Sequence, residues 1–294
     1  MKEDFRFEFR LLAVVLSLAA GNVPSITQTV DPKANAILSL MQHGRDLQQK
    51  GDFLSACRIL RFVTDHSKDS STQAEAIYRS LSCGDGAVSV LNVQRSAFYH
   101  LRVLQIDSTL EAEMSRTQKE QVAAFRRIGV PITLSRYSDG TFANTDTISR
   151  QLLTKVYRHT PFGELTAFEL IEYEVSPEGL VGATDPNVII KRSLAFLTDY
   201  PHSTYSNDVH LILGQAFQDL WTCSLPDMID YSDVLTASQK ADPEQVRQEA
   251  IQHLELARQS RDRLVKRKWD RYHDEGLDSL RAKQHTHILY YVPC

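Results

Sequence analysis

The sequence predicts an all-α fold, a solenoid of helical repeats, with one small antiparallel β element. A seven-residue phrase that begins at Tyr157 (YRHTPFG) returns 43 residues later at Tyr200 (YPHSTYS), and a period of 20 to 50 residues is typical of stacked helical units. Asp-Pro pairs begin at Asp31, Asp185 and Asp242. They indicate helix starts, because Asp accepts from an unpaired backbone N–H and the proline that follows has no N–H to satisfy. We therefore expect amphipathic helices that bury their apolar faces against neighbouring units.

The N-terminus has the pattern of an export signal. Residues 11–20 form an uncharged apolar run that follows Lys2, Arg6 and Arg10. This run has the length of a signal-peptide core and is too short to span a bilayer, so no transmembrane span is expected. We expect residues 1–21 to be removed on export. Acidic residues in the leader keep open the alternative of an ordinary N-terminal helix in a cytoplasmic protein.

Length and charge limit the remaining possibilities. The chain has 294 residues and a formal net charge of −4, so it lacks the broad basic character with which proteins attract nucleic acid. The helical pattern predicts N-terminal repeats over 30–130 and C-terminal repeats over 131–294. Nucleic acid is not an expected partner.

The first repeat is defined by small and apolar residues at set spacings. Gly44 and Leu47 lie on one predicted helix, and Ala56 and Leu60 lie on the next. Two antiparallel helices that cross closely need a small residue on each. On these positions the chain resembles a tetratricopeptide repeat, although the usual large aromatic residue of the first helix is missing. The resemblance implies a protein-binding solenoid.

The later half shows the same theme. The segment 213–217 (LGQAF) is similar to the core of a repeat's first helix, with Ala250 and Leu254 on its second, and an irregular insertion is expected over 221–241. Residues 196–217 also resemble repeats of two periplasmic families, the outer-membrane assembly lipoproteins and the Tol-Pal-associated coordinators. That resemblance implies a non-catalytic adaptor of the bacterial cell envelope.

Two stretches are predicted to be strands. Residues 131–142 contain β-forming residues followed by Asp139-Gly140, which favours a tight turn, and residues 286–293 are also rich in β-formers. A lone strand is not stable. We therefore expect these two stretches to pair with each other.

The cysteines allow two interpretations. Cys57, Cys83, Cys223 and Cys294 are too far apart in sequence for a paired-thiolate zinc site. Cys57 and Cys83 are expected on consecutive helices, where they could form a disulfide or only pack. Both possibilities stay open.

The sequence has no signature of catalysis or of metal binding. It lacks a glycine-rich phosphate loop, a Gly-x-Ser-x-Gly elbow and a His-Glu-x-x-His helix. His285 and His287 would share one face of a strand, but they are more simply explained as solvent-facing residues. We expect no cofactor, no metal and no enzyme, and keep a degenerate repeat-bearing enzyme as the alternative.

The predicted binding surface follows from the repeats. In tetratricopeptide-like arrays the first helix of each pair lines the concave face, which would hold a protein or peptide segment. A basic stretch from Arg258 to Arg271 could contact acidic lipid or could simply be a solvated helix. The predicted partner-binding residues are Met41, Arg45, Gln48, Asp208, Leu211, Gln215 and Gln218.

Overall fold

The structure, a computed structural model, describes residues 32–100, 116–134, 141–175, 185–226, 228, 233–259 and 271–284. Predictions about residues 1–21, the strand 286–293, His285, His287 and Cys294 lie outside these ranges.

The described ranges contain eleven α-helices, one π-helical turn and two short strands. The prediction of a mostly helical chain with a small antiparallel sheet is confirmed. Among the helices described, none is both long enough and apolar enough to cross a bilayer. The elements are α1 Pro32–Gln49, α2 Phe53–His66, α3 Ser70–His100, α4 Arg116–Arg127, β1 Ile132–Leu134, β2 Phe142–Asn144, α5 Thr147–Gln151, the π-helical turn Leu152–Val156, α6 Pro161–Val175, α7 Pro186–Asp199, α8 Ser206–Cys223, α9 Ala237–Ala241, α10 Pro243–Gln259 and α11 Arg271–Arg281.

The chain divides into two compact units, Met1–Gly163 and Glu164–Cys294. The sequence pattern placed the division at about residue 130. The difference arises because the β strands pack into the core of the first unit, where Ile132 and Phe142 are buried. The second unit therefore begins later than the sequence pattern indicated.

In the first unit, α1 and α2 form a tightly packed pair. Gly51, with φ of 78°, makes the turn between them, and Asp52 caps α2 by accepting from the Ser55 N–H at 3.2 Å. A Cβ added to Gly44 would lie 2.9 Å from Leu60 Cδ2. The two helices therefore cross where the sequence places its small residues.

The strands form a hairpin rather than a long-range pair. Ile132 lies opposite Asn144 in the antiparallel register. The Phe142 N–H donates to Asn92 Oδ1 at 2.7 Å, and Asn92 Nδ2 donates to the Phe142 carbonyl at 3.1 Å, so α3 holds the second strand. The expected partner of β1 was 286–293, whereas the partner in the described structure is the nearby β2. A hairpin closes a shorter loop and therefore costs less entropy.

In the second unit, α8 is the central helix. It packs between α7 and α10, and every residue from Leu211 to Cys223 except Phe217 is buried. A Cβ on Gly214 would lie 2.7 Å from Leu254 Cγ. The expected pairing of the helix around Gly214 with the helix around Leu254 is therefore present.

The Asp-Pro helix starts are confirmed where they are described. The Asp185 carboxylate accepts from the Asn187 N–H at 2.8 Å, and that of Asp242 accepts from the Gln245 N–H at 2.9 Å. The expected insertion over 221–241 is partly helical, because α8 runs to Cys223 and α9 lies directly before Asp242. Asp31 lies outside the described residues.

Candidate functional site

Of the three predicted binding residues of the first unit, Arg45 forms a polar link between α1 and α3. Arg45 Nη2 donates to Glu75 Oε1 at 2.5 Å, and Arg79 Nε donates to the same oxygen at 2.6 Å. Gln48 is half-buried, and Met41 is buried in the core. The Arg45 guanidinium therefore joins two helices of the unit and is already paired.

The predicted binding residues of the second unit are buried. Asp208, Leu211, Gln215 and Gln218 lie on α8 and expose between 2% and 8% of their surface. The Gln215 amide hydrogen-bonds the His273 ring on α11. In this fold these four side chains belong to the interior of the unit, so they do not form an open concave face.

Two histidines meet between α8 and α10: His210, which is half-buried on α8, and His253, which is buried on α10. His210 Nδ1 and His253 Nδ1 are 3.0 Å apart, so one ring donates and the other accepts, and His253 also stacks on Phe217. Burial lowers the pKa of both rings, and with the neighbouring His210 it lowers the pKa of His253 to about 4. The Glu249 carboxylate, 3.8 Å from His253 Nε2, favours protonation but is partly exposed, so burial dominates.

The histidine pair is a packing contact. Within the described ranges, no group of three or more His, Cys, Asp or Glu side chains is placed to hold a metal ion. Both rings are neutral near pH 7, and a neutral pair in which one Nδ1–H donates to the other Nδ1 satisfies the hydrogen bonding of both rings there.

Three exposed apolar residues lie on one short segment of the first unit. Ile148, Leu152 and Val156 lie at spacings of four along α5 and the π-helical turn, and they are 71%, 38% and 64% exposed. Residues at this spacing share one face of a helix. We call these three residues the apolar stripe.

The opposite side of this segment is anchored in the unit. Leu153 is fully buried against Ala74, Ile77 and Leu81 of α3. The Tyr157 hydroxyl donates to Gln73 Oε1 at 3.1 Å. The stripe is therefore displayed on a fixed support.

The start of the segment is held by charge and capping. The Asp146 carboxylate accepts from the Ser149 N–H at 3.0 Å and from Arg61 Nη2 at 3.1 Å. The π-helical turn ends where the Tyr157 N–H donates to the Leu152 carbonyl at 3.0 Å. Such turns occur often at functional sites.

Sequence reasoning missed the apolar stripe. The spacing of four was visible from Ile148 to Val156, but the same spacing is typical of helix faces that are buried in a core. Only the fold shows that Leu153 faces inward and that the three residues of the apolar stripe do not.

The basic stretch from Arg258 to Arg271 is described only at its two ends. Residues 260–270 lie outside the described ranges, and Arg258 pairs with Asp274 of α11 at 3.3 Å. This ion pair is partly exposed, and such pairs contribute little to stability.

Comparisons with protein-family models, with curated proteins and with solved structures gave no match.

Proposed function

We propose that this protein is a non-enzymatic helical-repeat adaptor that binds a protein partner, and that it acts in the bacterial cell envelope after export. The observation that carries the proposal is the apolar stripe of Ile148, Leu152 and Val156, whose three side chains are exposed. The N-terminal apolar run at 11–20 supports export.

The helix packing is compatible with tetratricopeptide-like repeats. In each unit two helices cross at a glycine, Gly44 against Leu60 and Gly214 against Leu254. In the first unit the link from Arg45 to Glu75 joins α1 to α3, as expected for successive first helices of a repeat array. Solenoids of this kind act as surfaces for partners.

The energetics favour a partner for the stripe. Fully burying one Leu, Ile or Val side chain is worth about 1.5 to 3 kcal/mol. Single exposed apolar residues need no explanation, but three on one helix face are typical of an interaction site. A partner that covers all three side chains would gain this free energy of burial.

The surroundings of the stripe suggest the chemistry of its partner. Lys155 and Arg158 flank it, and both are exposed. The best match is an amphipathic helix with an apolar face and acidic residues along its border, because the charges would then complement each other at the rim. Burial of the apolar face would supply most of the affinity.

Site-specific photo-crosslinking tests this proposal. A photoreactive phenylalanine analogue at Ile148 or Val156 should capture one distinct protein in native cells. The matched control is the same analogue at Gln151, which is exposed on the same segment. Replacing Ile148 and Val156 together by Asp should leave the fold intact, since both are exposed. It should abolish capture by the analogue at Leu152.

Two outcomes would contradict the proposal. Equal capture from Ile148 and Gln151 would show that the stripe is ordinary surface, and undiminished capture after the double Asp substitution would show that apolar burial is not the driving force. The intact mass of the native protein tests export separately. An uncleaved chain in the cytosol would favour the cytoplasmic scaffold.

A further inference from the structure

Two cysteines of the first unit lie together in its core. Cys57 on α2 and Cys83 on α3 are both fully buried, with no exposed surface. Cys57 Sγ donates to the Ser80 carbonyl at 3.6 Å, so it packs on the turn of α3 that leads to Cys83. Both side chains belong to the same buried core cluster.

We infer that Cys57 and Cys83 are a disulfide-forming pair, which becomes oxidised when the chain folds in the presence of a disulfide oxidant and then joins α2 to α3. Both thiols stand free in the structure, on helices that pack along their length. A disulfide needs two cysteines whose side chains point at each other across a short gap. The contact of Cys57 Sγ with the Ser80 carbonyl, one turn before Cys83 on α3, brings the two side chains together in one core cluster.

Disulfide formation requires an oxidant, and glutathione disulfide is sufficient. The thiolate of one cysteine attacks a sulfur of glutathione disulfide, which forms a mixed disulfide and releases one glutathione thiolate. The thiolate of the second cysteine then attacks the protein sulfur, and the second glutathione thiolate leaves. The protein loses two electrons and two protons, and two glutathione thiols are formed.

Burial determines when this step takes place. The Cys83 thiol and the apolar surroundings raise the pKa of the Cys57 thiol far above its ordinary value. A buried thiol that cannot ionise is a poor nucleophile. The disulfide therefore forms before α2 and α3 finish packing, and once formed it is shielded from reductants.

A disulfide here would also stiffen the support of the apolar stripe. Cys83 lies on α3, two residues after Leu81, which packs on Leu153 beneath the stripe. Fixing α3 to α2 would hold that support in place without touching the exposed face. The two cysteines would form this link whether or not the stripe binds a partner.

Refolding in a glutathione redox buffer tests the inference. Reduced, denatured protein is refolded with glutathione and glutathione disulfide, alkylated in denaturant, digested and analysed by mass spectrometry. We expect a linked Cys57–Cys83 peptide pair, lighter by two hydrogen atoms than the reduced pair. Cys223, which is buried in the second unit, is the internal control and should be recovered alkylated.

The linked form should also be more stable. We expect its first unit to melt about 5 to 10 °C above the reduced form. In Cys83→Ala, a reductant should make no difference. Alkylation of both Cys57 and Cys83, a link from either to another cysteine, or an oxidised form that melts no higher than the reduced form would each overturn the inference.

Discussion

In each unit two helices cross at a glycine, but the atoms that an added Cβ would meet differ between the two crossings. In the first unit the three atoms nearest to a Cβ on Gly44 would all be side-chain atoms, of Leu60 and Ile59 on α2. In the second unit a Cβ on Gly214 would meet the backbone nitrogen of Leu254 at 2.9 Å as well as its side chain. A leucine side chain can shift, but the backbone of a packed helix cannot move without separating the helices.

This difference shows how close the two helix pairs are. Contact with backbone means that α8 and α10 approach until main chain touches main chain, whereas α1 and α2 are separated by a leucine side chain. Interiors are packed densely and transmit strain. Glycine at 214 is therefore required by space, while glycine at 44 is required only by the position of one side chain.

The largest expected effect is that of Gly214→Val. Three added carbon atoms would overlap the backbone and side chain of Leu254, and the unfolding free energy of the second unit should fall by about 3 to 4 kcal/mol. That corresponds to a melting temperature lower by roughly 10 to 15 °C. An unchanged melting temperature would show that α8 and α10 do not cross at Gly214.

Tryptophan fluorescence isolates this effect. The chain has two tryptophans, Trp221 and Trp269, both within the sequence of the second unit, and Trp221 is buried in its core. The change in Trp221 emission therefore reports the unfolding of that unit. Circular dichroism at helical wavelengths reports both units, so a difference between the two signals separates them.

The next effect is a loss of stability with falling pH in the second unit. The pKa of His253 is about 4 when folded, against an ordinary value of 6.5, so the unfolded chain binds a proton more readily. The stabilisation is complete above about pH 6.5 and declines as the pH falls toward 4. Between pH 7.5 and pH 5 the loss should be about 2 kcal/mol.

The matched control for this pH dependence is His253→Gln. Glutamine can still hydrogen-bond His210 but does not titrate, so most of the pH dependence should disappear while stability at pH 7.5 falls only modestly. Urea unfolding followed by tryptophan fluorescence at both pH values measures it. A parent protein with equal stability at pH 7.5 and pH 5 would mean that His253 is not buried as described.

The sequence could predict local features and pairings set by small residues. The crossings at Gly44 and Gly214 followed from glycine and leucine at helical spacing, and the caps at Asp185 and Asp242 followed from hydrogen bonding within one turn. The caps depend on residues close in sequence, and the crossings depend on the small size of glycine.

The candidate sites could not be predicted in the same way. Gln215 is covered by α11, more than fifty residues further on, and no local pattern shows which element covers a helix face. An apolar spacing of four looks the same whether it is buried or exposed, so Ile148 and Val156 could not be told from core residues.

The smallest expected effects come from replacing glycine by alanine at both crossings, which tests directly whether the two crossings differ. Alanine in a helix is favoured over glycine by roughly 1 kcal/mol. At Gly44 that gain should nearly offset the cost of moving Leu60 Cδ2, so Gly44→Ala should change the stability of the first unit by less than about 1 kcal/mol. At Gly214 the backbone contact leaves no such compensation, and Gly214→Ala should destabilise the second unit by about 2 kcal/mol. Hydrogen exchange measured by mass spectrometry on peptides from each unit gives both values in one experiment. Equal losses at the two positions would mean that the side chain of Leu60 is held as rigidly as the backbone of Leu254.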